Sequence, residues 1–350
     1  MNFPEIGSTF SGFVDLQVNG YRGIDFSSLS LTLETATHAI RGILSDGGCT
    51  SILPTIISSS LDVYNHVLPI FSTIISMKEF NKRVLGIHLE GPFISSKNGV
   101  IGCHSSANVI APSINLVKSW QKLADGHICM ITVAAEAQGI SDFIKYCVKN
   151  RIMVSLGHQD ASADDIEHAI KSGATAMTHL GNGLPNMIHR HHNPIWKGLS
   201  NDQLSVMLIA DGNHLPEDLL RVMFRSKPSH LIIATSDVAP VAGLPDGTYN
   251  CFGTSVVVEG NNVRSAKLPC LAGSGALILD CINHLCSIWP LDYRPDRDNM
   301  NYDNAFETMI KIGNRNPLNL IGRESTEINN NKYHILTWMD GKFIFTASLL

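Results

Sequence analysis

Residues 153–180 read MVSLGHQDASADDIEHAIKSGATAMTHL. A short apolar run, 153–158, ends in Gly157-His158; a polar linker leads to Ser162 with Asp165 three positions on, the pattern of a capping box. An amphipathic stretch over 163–171 follows, Gly173 stops it, and a second apolar run, 176–180, carries His179. Strand, helix and strand within 28 residues make a βαβ unit, with a histidine at the end of each strand.

The same unit repeats in both directions. Buried strands are predicted over 13–17, 50–55, 84–90, 128–135, 153–158, 176–180, 206–211 and 231–237. Helices are predicted over 32–45, 62–78, 141–150, 163–171 and 217–225, with no comparable helix after the sixth strand. Gly42 and Gly47-Gly48 read as helix-end features, and no glycine-rich nucleotide fingerprint follows the first strand. Eightfold alternation therefore points to a (β/α)8 barrel rather than a doubly wound sheet. Beyond the eighth strand, 247–267 reads as a hairpin around Gly260-Asn261-Asn262, 274–287 as a helix, and 303–312 as a helix stopped by Gly313. Two strand-like runs flank Asp340-Gly341 in a tail too small to fold alone. The expected division is a barrel over 12–315 with the 247–267 insertion, and a C-terminal segment, 316–350, packed beside it.

Composition narrows the function. At 44% hydrophobic, 16% charged and a net charge of -5, the 350-residue chain is an ordinary globular protein without the basic stripe of a nucleic-acid binder. It has no apolar run of membrane length and no signal-peptide pattern at its start. Its eight scattered cysteines form no CxxC pair, so a reducing cytoplasm is expected.

Seven of the eight strands end in a polar group able to bind metal, take a proton or meet an anion: Gln17 and Asn19; His88 and Glu90; Glu136; His158; His179; Asp211 and His214; Asp237. Strand C-termini converge in this fold, so these residues share one mouth. His158 and His179 read as imidazole ligands of a divalent metal, with Glu90 and Glu136 competing as the third ligand. Asp237 reads as a proton shuttle. Helical His38, His66, His168 and His284 read as surface or satisfied groups, and the tract His189-Arg190-His191-His192 equally as a nonspecific metal binder or as a loop that meets an anion.

The motifs Gly12-Phe-Val-Asp-Leu-Gln-Val-Asn-Gly20, Gly86-Ile-His-Leu-Glu-Gly-Pro-Phe93, Ser155-Leu-Gly-His158, Thr178-His-Leu-Gly-Asn182, Ala210-Asp-Gly-Asn-His214, Thr235-Ser-Asp237 and Leu271-Ala-Gly-Ser274 occur in that order. Together they resemble the N-acetylglucosamine-6-phosphate deacetylases of the amidohydrolase superfamily. The resemblance implies a TIM-like metallo-dependent hydrolase barrel with a small β domain from the termini, here incomplete because few residues precede Gly12. It implies Glu90, His158 and His179 as ligands of one divalent ion (zinc first; iron, manganese or cobalt as alternatives) and Asp237 as the catalytic aspartate. Cys103, His104, Asn182, Gly183, Arg190, His214, Leu271, Ala272 and Gly273 correspond to substrate-binding positions, with Arg190 on a sugar phosphate. Gln17-x-Asn19 stands where many amidohydrolases carry His-x-His, which argues for a single metal. The implied reaction is hydrolysis of the acetamide of N-acetyl-D-glucosamine 6-phosphate, in a homodimer whose phosphate arginine crosses between subunits. The galactosamine epimer as substrate, or a sugar-phosphate binder without turnover, are the alternatives.

Overall fold

The computed structural model describes residues 8–291, 305–324 and 334–348. Eight parallel strands follow one another around a barrel: β1 (Phe13–Val18), β2 (Cys49–Ile57), β3 (Ile87–Glu90), β4 (Ile128–Val133), β5 (Met153–Leu156), β6 (Ala176–Met177), β7 (Ser205–Ile209) and β8 (Ile232–Thr235). The circuit closes where Val18 bridges Val238 in parallel and the Asn19 amide donates to the Val238 carbonyl. Asp15 rivets the same seam. Buried inside β1, its carboxylate accepts from the Thr235 hydroxyl and from the amide and hydroxyl of Ser236. A buried carboxylate is tolerated only when so many donors meet it.

Side chains alternate along the strands and sort the interior into layers. Val14, Leu53, Leu85, Met130, Met207 and Ile233 form an apolar floor, plugged by Leu318. Above it lies a polar layer in which His88 Nε2 meets Thr132, Thr132 meets Thr178, and Thr178 meets Ser155, each at 2.7–2.8 Å. The outward-facing residues of the strands, such as Ile131, Val133, Val154 and Leu208, join the helices in the main core.

The crossovers are α1 (Leu33–Asp46), α2 (Leu61–Ser76), α3 (Ile114–Leu123), α4 (Ile140–Lys149), α5 (Ala163–Ser172), α6 (Pro194–Ser200) and α7 (Glu217–Ser226). The Ser162 capping box opens α5 as read from sequence. The sixth crossover does contain a helix, α6, correcting the expectation. It has seven residues, too few to show amphipathic periodicity, and Asn193 caps it by accepting from the amides of Ile195 and Trp196. Gly42 lies inside α1, and only Gly47 is its cap.

After the barrel the expected hairpin is a three-stranded meander, β9 (Gly247–Cys251), β10 (Thr254–Glu259) and β11 (Asn262–Ser265), because a second turn at Phe252-Gly253 precedes the predicted one. Helix α8 spans Ile278–Ser287, starting four residues later than expected. Gly313 does not stop the next helix. Ala305–Ile310 continues through a π-turn at Lys311–Arg315 into Asn316–Leu320. A Cβ at Gly313 would lie 2.7 Å from the Phe13 ring, so the glycine serves close packing rather than termination. This helical run crosses the boundary expected at 315/316; residues 303 and 304 lie outside the described residues. At the termini Thr9–Phe10, β12 (His334–Met339) and β13 (Lys342–Ser348) form a small antiparallel sheet. Phe10, Phe13 and Phe343 stack it on the barrel, with ring centroids 5.1–6.1 Å apart.

Candidate active site

Three of the residues singled out at strand ends have backbones that non-glycine residues seldom adopt. His158 (φ 48°), His179 (φ 31°) and Asp237 (φ 51°) each stand two residues beyond β5, β6 and β8, in the left-handed region. Such positions cost on the order of 1–3 kcal/mol each and persist where packing forces them, most often at functional sites. The turn swings each side chain over the barrel mouth, towards Glu90 at the end of β3.

There, Glu90 Oε1 lies 2.9 Å from His179 Nε2 and 3.3 Å from His158 Nε2, and the two nitrogens are 3.1 Å apart. Tetrahedral coordination with bonds of about 2.0–2.1 Å sets donor atoms roughly 3.3–3.4 Å apart. The triangle is close to that size. Two imidazole nitrogens turned on one carboxylate oxygen suit a divalent cation. The Val100 carbonyl accepts from His158 Nδ1 at 2.8 Å, which leaves the Nε2 lone pair free. Glu90, His104 and His158 also have potential donor atoms within 4.8 Å of one another. His104 Nε2 stands further off, 3.9 Å from Glu90 Oε2.

The β1 amides explain their own presence. Gln17 Nε2 donates to Glu90 Oε1 and Asn19 Nδ2 to Asp237 Oδ1, both at 2.8 Å. They orient the two carboxylates from the position where imidazoles would hold another ion. Burial works to raise the Glu90 pKa, but the His158 and His179 imidazoles turned on the carboxylate outweigh it and hold the carboxyl well below its usual range. Asp237 goes the other way: burial, then the charge of Glu90, raise it to about 8. A cation placed between the two carboxylates would favour the ionised form of both.

The remaining strand-end residues divide. His88 is a core histidine, bonded to the Leu16 carbonyl and Thr132 and lowered to about 4 by burial. Glu136 turns away and accepts from the Asp160 amide, bracing the loop after His158. His214 is held by Asp211 at 2.8 Å, and Asp211 also accepts from Ser274.

Glu90, His158, His179 and Asp237 line a cavity of about 200 Å³ that also includes Asn19, Cys103, His104, Asn182, Gly183, His214, Leu271 and Gly273. Asn182 Nδ2 is buried there without a hydrogen-bond partner among the described residues. Gly183 (φ 62°) lies so close that a Cβ would sit 3.0 Å from His158 Nδ1 and 3.2 Å from the His179 ring. Two expected residues are not brought in. Ala272 is fully buried in the meander's core, its amide donating to the Val263 carbonyl. Arg190 is exposed and does not line the cavity of its own chain. Sequence reading missed Phe252 and Cys270 on the rim, and Ser58, which touches His104. Ser58 lay one step past an apolar strand with no ligand-type residue to draw attention.

No family model matches the chain. It is 31% identical over 332 residues to the N-acetylglucosamine-6-phosphate deacetylase of Rattus norvegicus, covering 90% of this chain and 75% of that protein. The Bacillus subtilis (strain 168) protein of the same name is 33% identical over 269 residues, 75% of this chain and 66% of its own length. Among solved structures, the Mycobacterium smegmatis N-acetyl-D-glucosamine-6-phosphate deacetylase superposes with TM-score 0.85 at 21% identity, covering 98% of this chain and 86% of that one. The Thermotoga maritima counterpart gives TM-score 0.78 at 24% identity, covering 97% and 90%. At these identities the structural matches establish the fold.

Proposed function

The chain belongs to the N-acetylglucosamine-6-phosphate deacetylase family, and from that premise we propose that it hydrolyses the acetamide of N-acetyl-D-glucosamine 6-phosphate to glucosamine 6-phosphate and acetate, a step of amino-sugar catabolism. The observation that carries the reading is the Glu90, His158 and His179 triangle beside Asp237. Support for the substrate comes from a relative: a mutant of the Mycobacterium smegmatis deacetylase was solved in complex with N-acetyl-D-glucosamine-6-phosphate.

Glu90, His158 and His179 would hold one zinc ion, a choice that the two-nitrogen, one-oxygen donor set and its tetrahedral spacing favour. Bound there, the ion would polarise the acetyl carbonyl and make water acidic enough to ionise near neutral pH. Asp237, held by Asn19, takes the proton of the attacking water and passes it to the amine nitrogen as the C–N bond breaks, since an amide nitrogen leaves poorly unless protonated. His104 donates to the acetyl oxygen as negative charge grows on it. One such donor is typically worth roughly 2.7–4 kcal/mol. Asn182, Gly183 and His214 orient the sugar, with Cys103, Leu271 and Gly273 supplying backbone around it.

Arg190 lies on an exposed loop with Met187, 92% exposed, and Trp196, 49% exposed, nearby. An apolar patch beside an arginine that does not reach its own cavity favours a homodimer in which Arg190 binds the sugar phosphate of the neighbouring subunit. Its planar fork suits phosphate oxygens. All eight cysteines are free thiols, and no helix among the described residues is long and apolar enough to cross a membrane; we place the protein in the cytoplasm. Acetate release is the test, measured over N-acetylglucosamine 6-phosphate, its galactosamine epimer and the unphosphorylated sugars. The glucosamine phosphate should lead. Absence of acetate from every member of the panel by the metal-loaded protein refutes the reading.

A further inference from the structure

His104 enters the proposed reaction as a hydrogen-bond donor, and an imidazole can donate towards the cavity only if its proton sits on the nitrogen facing it. The structure assigns that choice to Ser58. Ser58 is buried directly beyond β2, the one barrel strand with no ligand-type residue at its end. Its backbone N–H points at His104 Nδ1 at 3.3 Å, and its Oγ lies 3.0 Å from the same nitrogen. A backbone N–H can only donate, so this long contact favours a lone pair on Nδ1, and the nearer hydroxyl, donating to the same nitrogen, completes the preference. The ring is then neutral with its proton on Nε2, the nitrogen that faces the cavity and Glu90. The opposite tautomer would set Nδ1–H against the Ser58 N–H. It would also aim a lone pair at the carbonyl oxygen, repelling the charge that develops there.

The surroundings keep Ser58 at this task. Its Oγ has two acceptors in reach, His104 Nδ1 at 3.0 Å and the Glu90 carbonyl at 3.5 Å, and the nearer takes the hydroxyl proton. Gly91 closes the other side: a Cβ there would fall 2.2 Å from Oγ, so only glycine leaves the hydroxyl its place. The loop that carries His104 grips residue 58 a second time, for Asn108 Nδ2 donates to the Ser58 carbonyl at 3.3 Å. The N–H and the C=O of one residue are thus both held by one loop, which fixes the height of the imidazole over the site. Ser58 acts through His104 and is a positioning residue. This inference rests on the proposed role of His104 in deacetylation.

The test combines nitrogen NMR of 15N-histidine-labelled, zinc-loaded protein with steady-state kinetics. Wild type should show His104 with an unprotonated Nδ1 and a protonated Nε2. Ser58→Ala keeps the longer N–H contact but loses the nearer donor. It should move the His104 signals towards a mixture of tautomers and lower kcat about tenfold, with KM within about twofold. Ser58→Thr, which keeps the hydroxyl, should restore both. A wild-type spectrum with the proton on Nδ1 overturns the proposal, and needs no variant to fold. So does a Ser58→Ala protein whose His104 spectrum and kcat are both unchanged. A shifted spectrum with an undiminished kcat points elsewhere: Ser58 sets the tautomer, but His104 is no donor in the reaction, and the positioning role falls with that reading.

Discussion

Replacing Asp237 by asparagine should do opposite things to activity and to the stability of the metal-free chain. Asparagine keeps the shape and can still accept from Asn19 Nδ2 through its carbonyl oxygen, but it cannot take a proton from water. Turnover of the metal-loaded variant should fall by at least roughly 10²–10⁴-fold, the range of general acid–base catalysis. Metal content should hardly change, since Glu90, His158 and His179 remain. Stability follows from the pKa. In the folded metal-free chain burial and the Glu90 charge raise Asp237 from 3.8 to about 8. A group raised on folding contributes its full stability below its unfolded value and loses it as pH climbs through the folded one. Wild type should therefore weaken relative to Asp237→Asn between about pH 4 and pH 8. At about 1.4 kcal/mol per unit the ceiling is roughly 6 kcal/mol, and a few kcal/mol is the working expectation because Glu90 shares the electrostatics. Calorimetry of chelated protein at pH 5 and pH 9 should read this as a difference on the order of 2–5 °C in Tm. A Tm difference that does not vary with pH refutes the electrostatic argument. A variant that loses its metal makes Asp237 a ligand first, and one that turns over at the wild-type rate ends its role as proton shuttle.

Elemental analysis should find one divalent ion per chain, because Gln17 and Asn19 spend their amides on Glu90 and Asp237; two stoichiometric ions would contradict this. Arg190→Ala should cut kcat/KM about ten- to a hundredfold for the phosphorylated sugar and little for the unphosphorylated one, the scale of a charged hydrogen bond. If the arginine crosses between subunits, mixing the impaired Arg190→Ala chain with Asp237→Asn chains should regain activity, whereas no regain and a monomeric mass would place the phosphate elsewhere. Gly183→Ala should weaken metal binding while leaving the fold intact, since its Cβ would press on both imidazoles from a left-handed backbone; unchanged zinc affinity by competition titration would count against the close approach.

Much of this protein is legible in its residues taken in order. Eight apolar runs and their helical gaps predict the barrel, because burial on both faces of a parallel strand imposes a composition that local reading can detect. Glu90, His158, His179 and Asp237 stood out because ligand-type side chains at the ends of such runs converge in this architecture. What failed locally failed for a physical reason. Gly313 signals a helix end, yet Phe13, three hundred residues away in the chain, is what requires it to be small. The seven-residue α6 is too short for periodicity and leans on its cap. Arg190 and Ala272 stand where the resemblance implies substrate contacts, but whether a side chain reaches a cavity depends on how loops fold back, which no spacing encodes. The positive φ angles of His158, His179 and Asp237 are imposed by the packing around them. Ser58 is the clearest case. As a sequence position it is one serine of three in a row, and only the approach of a loop nearly fifty residues later turns its amide and hydroxyl towards the ring of His104.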